Sequence, residues 1–173
     1  MERLVIIEHF RLPALGKDRT LRIYLPKDYY SSNVSYPVLY MHDAQNLFEV
    51  STSGYGMIWD AGQIMDEVEQ PAIIVGIDNG NHDRLLEYSP WENKTMETKF
   101  GAEWQGKCGG AGDLYLADLV QYVKPWVDLN YRTLTDRQHT SLGGSSMGGL
   151  ISLVGILDYP QVFGYALCIS NAF

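Results

Sequence analysis

Positive charge is scarce in this chain of 173 residues: 13 Lys and Arg stand against 21 Asp and Glu, for a net charge of −8. A nucleic-acid binder or a polybasic membrane-surface module would need a basic patch, and none is visible. Cysteine is scarce as well. Cys108 and Cys168 lie far apart and match neither a disulfide framework nor a zinc-ligand spacing. They read as free thiols in a reducing compartment. No apolar run approaches the ~20 residues that a membrane helix needs. The opening MERLVIIEHF is too short in its apolar run for a secretory leader and has no small-residue cleavage site. The expectation is a cytoplasmic protein. No internal repeat or low-complexity tract is present.

What remains is a globular composition, 46% apolar and 20% charged, in a chain long enough for one domain over residues 1–173. Leu4 to Ile7 and Thr20 to Leu25 read as early strands around a Gly16-Lys17-Asp18 turn. The second alternates Thr20, Arg22 and Tyr24 with Leu21, Ile23 and Leu25, the period of a half-buried strand. Pro37–Met41, Pro71–Ile77, His139–Gly143 and Tyr165–Ser170 are short strands with little polar alternation, as in a parallel sheet covered on both faces. Between them, Trp59–Val68, Asp113 to about Asn130 and the Leu150, Leu153, Val154, Leu157 stripe predict helices. Pro125 should kink the second or begin a new turn. An antiparallel start followed by β-α-β alternation gives an α/β sandwich. Ser89 to Gly112 is long, polar and glycine-rich at its end, and reads as a lid or pocket loop or as an insertion without a role.

The sharpest chemical signal is Gly143-Gly144-Ser145-Ser146-Met147-Gly148-Gly149. Read from Gly144 it is G-x-S-x-G, after a strand and before a helix. Small neighbours let a tight strand-to-helix turn close, so that the Ser146 hydroxyl projects at the positive end of the helix. The Met147 amide points the same way and can bind an oxyanion. A glycine-lysine phosphate cradle is disfavoured, because Gly149-Leu150 follows. The second signal is Tyr40-Met41-His42-Asp43-Ala44-Gln45-Asn46, at the carboxyl end of a strand, where open α/β sheets place their sites. Ala44 is the candidate for a second oxyanion amide. His42 and Asp43 read as a base with its orienter, or as residues that only shape the loop. His42, Asp43, Gln45 and His82 are the expected pocket residues. Asp78 and Asp83 read as solvated loop carboxylates.

These segments, with Ile74-Val75-Gly76-Ile77-Asp78-Asn79, Arg84, Glu87-Tyr88-Ser89-Pro90-Trp91 and Tyr131-Arg132-Thr133, occur in an order that resembles the putative-esterase family of α/β-hydrolases. That family includes enterochelin esterase-like and esterase D-like enzymes. The resemblance implies an α/β-hydrolase fold, a mostly parallel sheet with helices on both faces. It implies a serine esterase with Ser146 as nucleophile and the Met147 and Ala44 amides as oxyanion hole. It implies no metal or organic cofactor and a small-molecule ester as substrate; acyl transfer to an alcohol would use the same site. Where close relatives carry glycine, this chain has Ala44.

In that family the acid and the histidine follow the nucleophile. Only 27 residues follow Ser146 here, and none is histidine. The expectation is therefore a chain truncated at its carboxyl end, lacking its last strands, with the acid and histidine beyond residue 173. The rival is a catalytically inactive α/β-hydrolase-like binding module or remnant. His139, on the strand leading to Ser146, would sit at the wrong end of the sheet to act as base, and His9 precedes the sheet core. An unblunted apolar edge from Tyr165 to Phe173 further predicts homo-oligomers through that edge.

Overall fold

The computed structural model describes residues 2–172, so Phe173 and its expected part in an edge contact lie outside the described residues. Strands β1 (Leu4–Leu12) and β2 (Lys17–Tyr24) pair as an antiparallel hairpin, longer than the alternation alone suggested. Its turn closes by a bond from the Gly16 amide to the Pro13 carbonyl, with Gly16 at φ 67, where an L side chain is strained. β1 bulges at His9, φ 57, where the register shifts between Ile7 and Phe10.

β2 lies antiparallel to β4 (Ile73–Ile77), and β3 (Val38–His42), β4, β5 (Thr140–Ser145) and β6 (Tyr165–Ile169) run parallel, in the order β1-β2-β4-β3-β5-β6. Side chains alternate across a strand, so β3 sends Val38 and Tyr40 into one core and Leu39 and Met41 into the other. The first core is covered by α4 (Gly112–Asp118), α5 (Lys124–Asn130) and α6 (Met147–Asp158), through Leu116, Val127, Ile151 and Val154. The second is covered by α1 (Ala61–Glu67), through Ala61 and Met65. Helices on both faces of a mostly parallel sheet are the expected architecture. β4 is buried at every position, as a doubly covered strand should be. β6 departs from that expectation: Tyr165 is 61% exposed and Leu167 48%.

The helix expected from Asp113 to Asn130 is one helical path with a π turn, Leu119–Val123, set between α4 and α5. Pro125 explains the break. Its ring clashes with the carbonyl four residues back and it offers no amide, and the wider turn carries the chain past that conflict. The polar stretch from Ser89 to Gly112 is ordered. After the short helix α2 (Arg84–Glu87), which sequence periodicity did not reveal, it folds α3 (Lys94–Phe100), capped by Asn93 accepting from the Met96 amide 2.9 Å away. Its ends are fastened by bonds from the Gly110 and Gly112 amides to the Ser89 carbonyl.

The register sets the site. His42 aligns with Ile77, Met41 with Gly143, and Ser145 with Ile169, so the loops after β3, β4 and β5 open at one edge of the sheet. At the far side of the helical layer, Asp118 is fully buried and accepts the amides of Ala14 (2.8 Å) and Leu15 (2.9 Å), tying the hairpin turn to α4. Removing that carboxylate strands two backbone donors. We expect Asp118→Ala to lower unfolding free energy by about 2–3 kcal/mol, read from the urea midpoint, and Asp118→Asn to lower it less. A variant within about 0.5 kcal/mol of wild type would show that water replaces the carboxylate there.

Candidate active site

The turn at Ser146 follows from the glycines around it. A side chain on Gly144 would bring its Cβ within 2.7 Å of the Gly148 backbone, so only glycine lets the strand end approach the helix start. Between them Ser146 takes φ 57 and ψ −120, a conformation that L residues hold only when their surroundings enforce it. The enforcement is visible: the Ser146 amide donates to the Ile169 carbonyl on β6 (2.9 Å), and the Ser146 carbonyl accepts from Leu150 (3.0 Å) and Ala172 (3.3 Å). Ser146 is exposed, and α6 begins at Met147. The Met147 amide therefore belongs to the first helical turn, whose donors have no partner in their own helix. Its side chain is buried and lines a neighbouring cavity of about 480 Å³ with Trp91, Met96 and Leu150.

The β3 loop repeats this design. Asp43 sits in the left-handed region at φ 59 and ψ 42, and a 3-10 turn, Ala44–Asn46, follows. Ala44, the first residue of that turn, also presents an amide that its helix leaves free. Its methyl group fits because β4 carries glycine opposite: a Cβ on Gly76 would lie 2.5 Å from the Ala44 Cβ. The two loops touch where α6 begins, since a Cβ on Gly148 would be 3.2 Å from Asp43 Oδ2.

The Asp43 carboxylate is held by Arg84, with Nε donating to Oδ1 (2.7 Å) and Nη2 to Oδ2 (2.8 Å), and Asn79 Nδ2 donates to Oδ1 as well. Burial works against the Arg84 charge, but the hydrogen bonds and charge of Asp43 outweigh it and raise the guanidinium pKa above its usual value. Asp43 is thus the partner of Arg84. The base-and-orienter reading of His42 and Asp43 is not what forms; the two residues shape the loop.

His42 is 1% exposed and its Nδ1 lies 2.7 Å from Tyr115 Oη. Burial raises the Tyr88 and Tyr115 phenols above their usual range, so both stay protonated. The Asp43 amide donates to Tyr88 Oη (3.2 Å), and the Tyr88 and Tyr115 rings pack with centroids 5.2 Å apart. His42 thus has one ring nitrogen in a hydrogen bond with Tyr115, in which either partner can be the donor. Nε2 is buried without a hydrogen-bond partner among the described residues. Burial lowers the His42 pKa to about 4, and the Arg84 charge adds to that while Asp43 opposes it.

Ser146, His42, Asp43 and Gln45 all line one cavity of about 500 Å³ at the sheet edge, together with Arg84 and Trp59. His82 does not belong to it. It is exposed in the 3-10 turn Asn81–Asp83 and lines a separate hollow with Glu103, Trp104 and Lys107. Asp78 is not a solvated carboxylate either, since it holds the buried Arg22 through two bonds of 2.8 and 2.9 Å; Asp83 pairs with Lys17. His139 ends a 3-10 turn before β5 and bonds Asp136, so the strand begins one residue later than expected. Sequence reasoning gave no role to Arg84, Asn79, Tyr88 or Tyr115. The first three stood within matched segments, but a spacing cannot show which loop a side chain will reach.

Residues 13–173 match the model of the family described as "Putative esterase". The uncharacterized protein YbbA of Bacillus subtilis (strain 168) is 28% identical over 156 residues, covering 90% of this chain and 58% of that protein. The ferri-bacillibactin esterase BesA of the same organism is 26% identical over 157 residues, covering 86% and 52%. Among solved structures, an IroE-like serine hydrolase from Shewanella oneidensis superimposes with a TM-score of 0.77 at 22% identity, covering 97% of this chain and 50% of that one. The chain spans about half the length of these relatives. The fold is the α/β-hydrolase fold that the sequence led us to expect.

The buried histidine makes stability depend on pH. With a folded pKa of about 4 against an ordinary 6.5, the unfolded chain takes a proton between those values that the folded chain refuses. Stability contributed by neutral His42 is therefore present above 6.5 and lost as pH falls toward 4. Urea titrations should show wild type losing about 3 kcal/mol more than His42→Gln between pH 7 and 4. Equal losses in the two proteins would mean that His42 is accessible to solvent protons in the fold.

Proposed function

The chain belongs to the putative esterase family, and on that premise we propose that Ser146 is the nucleophile of a carboxylic ester hydrolase. The observation that carries the reading is an exposed serine at φ 57, ahead of a helix and on the wall of a cavity at the carboxyl ends of the parallel strands. Ser146 Oγ attacks the ester carbonyl carbon as a base removes its proton, and the amides of Met147 and Ala44 receive the oxyanion. Collapse expels the alcohol, which takes up the proton. Water then repeats the attack and releases the acid.

The base is the missing part. His42 is buried and committed to Tyr115, His82 faces another hollow, His139 bonds Asp136, and His9 sits on the β1 bulge. With each of these histidines committed elsewhere, we propose that this chain alone is a weak catalyst. The cavity combines the rings of Tyr55 and Trp59 with the carboxamides of Gln45, Asn79 and Asn81, which suits an aromatic or hydroxylated ester better than a long alkyl one. No helix among the described residues is long and apolar enough to cross a membrane. The exposed Tyr165 and Leu167 of β6 support self-association through that edge, which light scattering at micromolar concentration would detect as a dimer and which a stable monomer would refute.

An unassisted serine hydroxyl reacts slowly at neutral pH. We therefore expect a fluorophosphonate probe to label the 173-residue chain slowly and at Ser146 alone, with p-nitrophenyl acetate turned over at a low, Ser146-dependent rate. Labelling or turnover that survives Ser146→Ala unchanged would leave the inactive binding module as the better reading. Fast stoichiometric labelling would mean that a base reaches Ser146 from another copy or from a rearranged loop.

A further inference from the structure

Arg84 touches two loops at once. Its fork holds both oxygens of Asp43, and the same Nη2 donates to the carbonyl of Ser145 at 3.3 Å. Asp43 is the residue before Ala44, and Ser145 is the residue before Ser146. Each contact therefore lies next to a backbone held at positive φ, 59 at Asp43 and 57 at Ser146. Such conformations are disfavoured for L residues and persist only where the surroundings over-determine them. Arg84 is itself fixed from behind, with its guanidinium carbon 5.3 Å from the centre of the Tyr88 ring, and the Tyr88 hydroxyl takes the Asp43 amide.

We propose that Arg84 is a positioning residue that sets the separation of the Ala44 and Met147 amides by bridging the loops that carry them. The inference rests on the reading of those two amides as an oxyanion hole. It differs from the simpler role for an arginine on a cavity wall, which would be to bind a substrate anion. Nε and Nη2 are already committed to Asp43, and the Asp43 charge neutralises the guanidinium. The geometry also demands arginine. Two parallel donors to a carboxylate and a third bond to a carbonyl need a planar fork, whereas a lysine offers a point charge on a flexible stem.

The test uses the whole 173-residue chain as Arg84→Lys, with Asp43→Asn as a second variant should the first fail to fold. In amide-resolved NMR spectra, both the Ala44 and the Met147 resonances should shift in either variant, while the core amide of Val75 stays in place. Displacing an oxyanion donor by about 1 Å costs up to ~10²-fold in rate. With p-nitrophenyl acetate, kcat should therefore fall roughly ten- to hundredfold with KM within about twofold of wild type. A shift at Ala44 without one at Met147 overturns the bridge. A large rise in KM at unchanged kcat overturns it in favour of substrate binding. If wild-type turnover proves indifferent to Ser146→Ala, the esterase reading fails on its own, and the paired amide shifts alone decide whether Arg84 ties the loops together.

Discussion

One backbone conformation governs the architecture around the site: Ser146 must stand at positive φ between the end of β5 and the start of α6. Nothing about serine favours that. Gly144 and Gly148 remove the side chains that would collide, and β6 supplies the carbonyl that accepts the Ser146 amide. The β3 loop then has to meet a helix start already fixed in space. The open face of Gly148 is what lets Asp43 come close enough. The strained residue thus dictates small neighbours, a parallel strand on one side and a charged loop on the other.

Much of this was legible because it is local. G-x-S-x-G between an apolar run and an amphipathic stripe reports a strand-turn-helix directly, and the structure has it within two residues. The two-faced burial of β3 and β4 could be read from runs without polar alternation. β6 misled by the same rule, since its apolar run is half exposed at the edge of the sheet. Alternation along β2 misled differently. Arg22 falls on the polar phase yet is buried, because Asp78, just past the end of β4, meets it.

Tertiary pairing was not legible. His42 and Asp43 are neighbours in sequence, and adjacency suggested that they act on each other. At the carboxyl end of β3 the chain leaves the strand through a left-handed turn, which sends His42 inward toward Tyr115 and Asp43 outward toward Arg84. The partners lie 73 and 41 residues along the chain. Histidines at 82 and 139 were similarly placed by their strand, when the short 3-10 turns beside them decide where the rings go.

Ala44 and Gly76 constrain which substitutions this sequence can take. The Ala44 methyl occupies the space that a side chain at 76 would need, with a gap of only 2.5 Å between the two Cβ positions. With alanine at 44, a larger residue at 76 would force the strand or the loop to shift, and the Arg22 carbonyl and Leu47 Cδ1, each 3.3 Å from the same point, leave little room to do so. The two positions are coupled: a residue in the middle of a strand is constrained by a methyl group at the rim of the site.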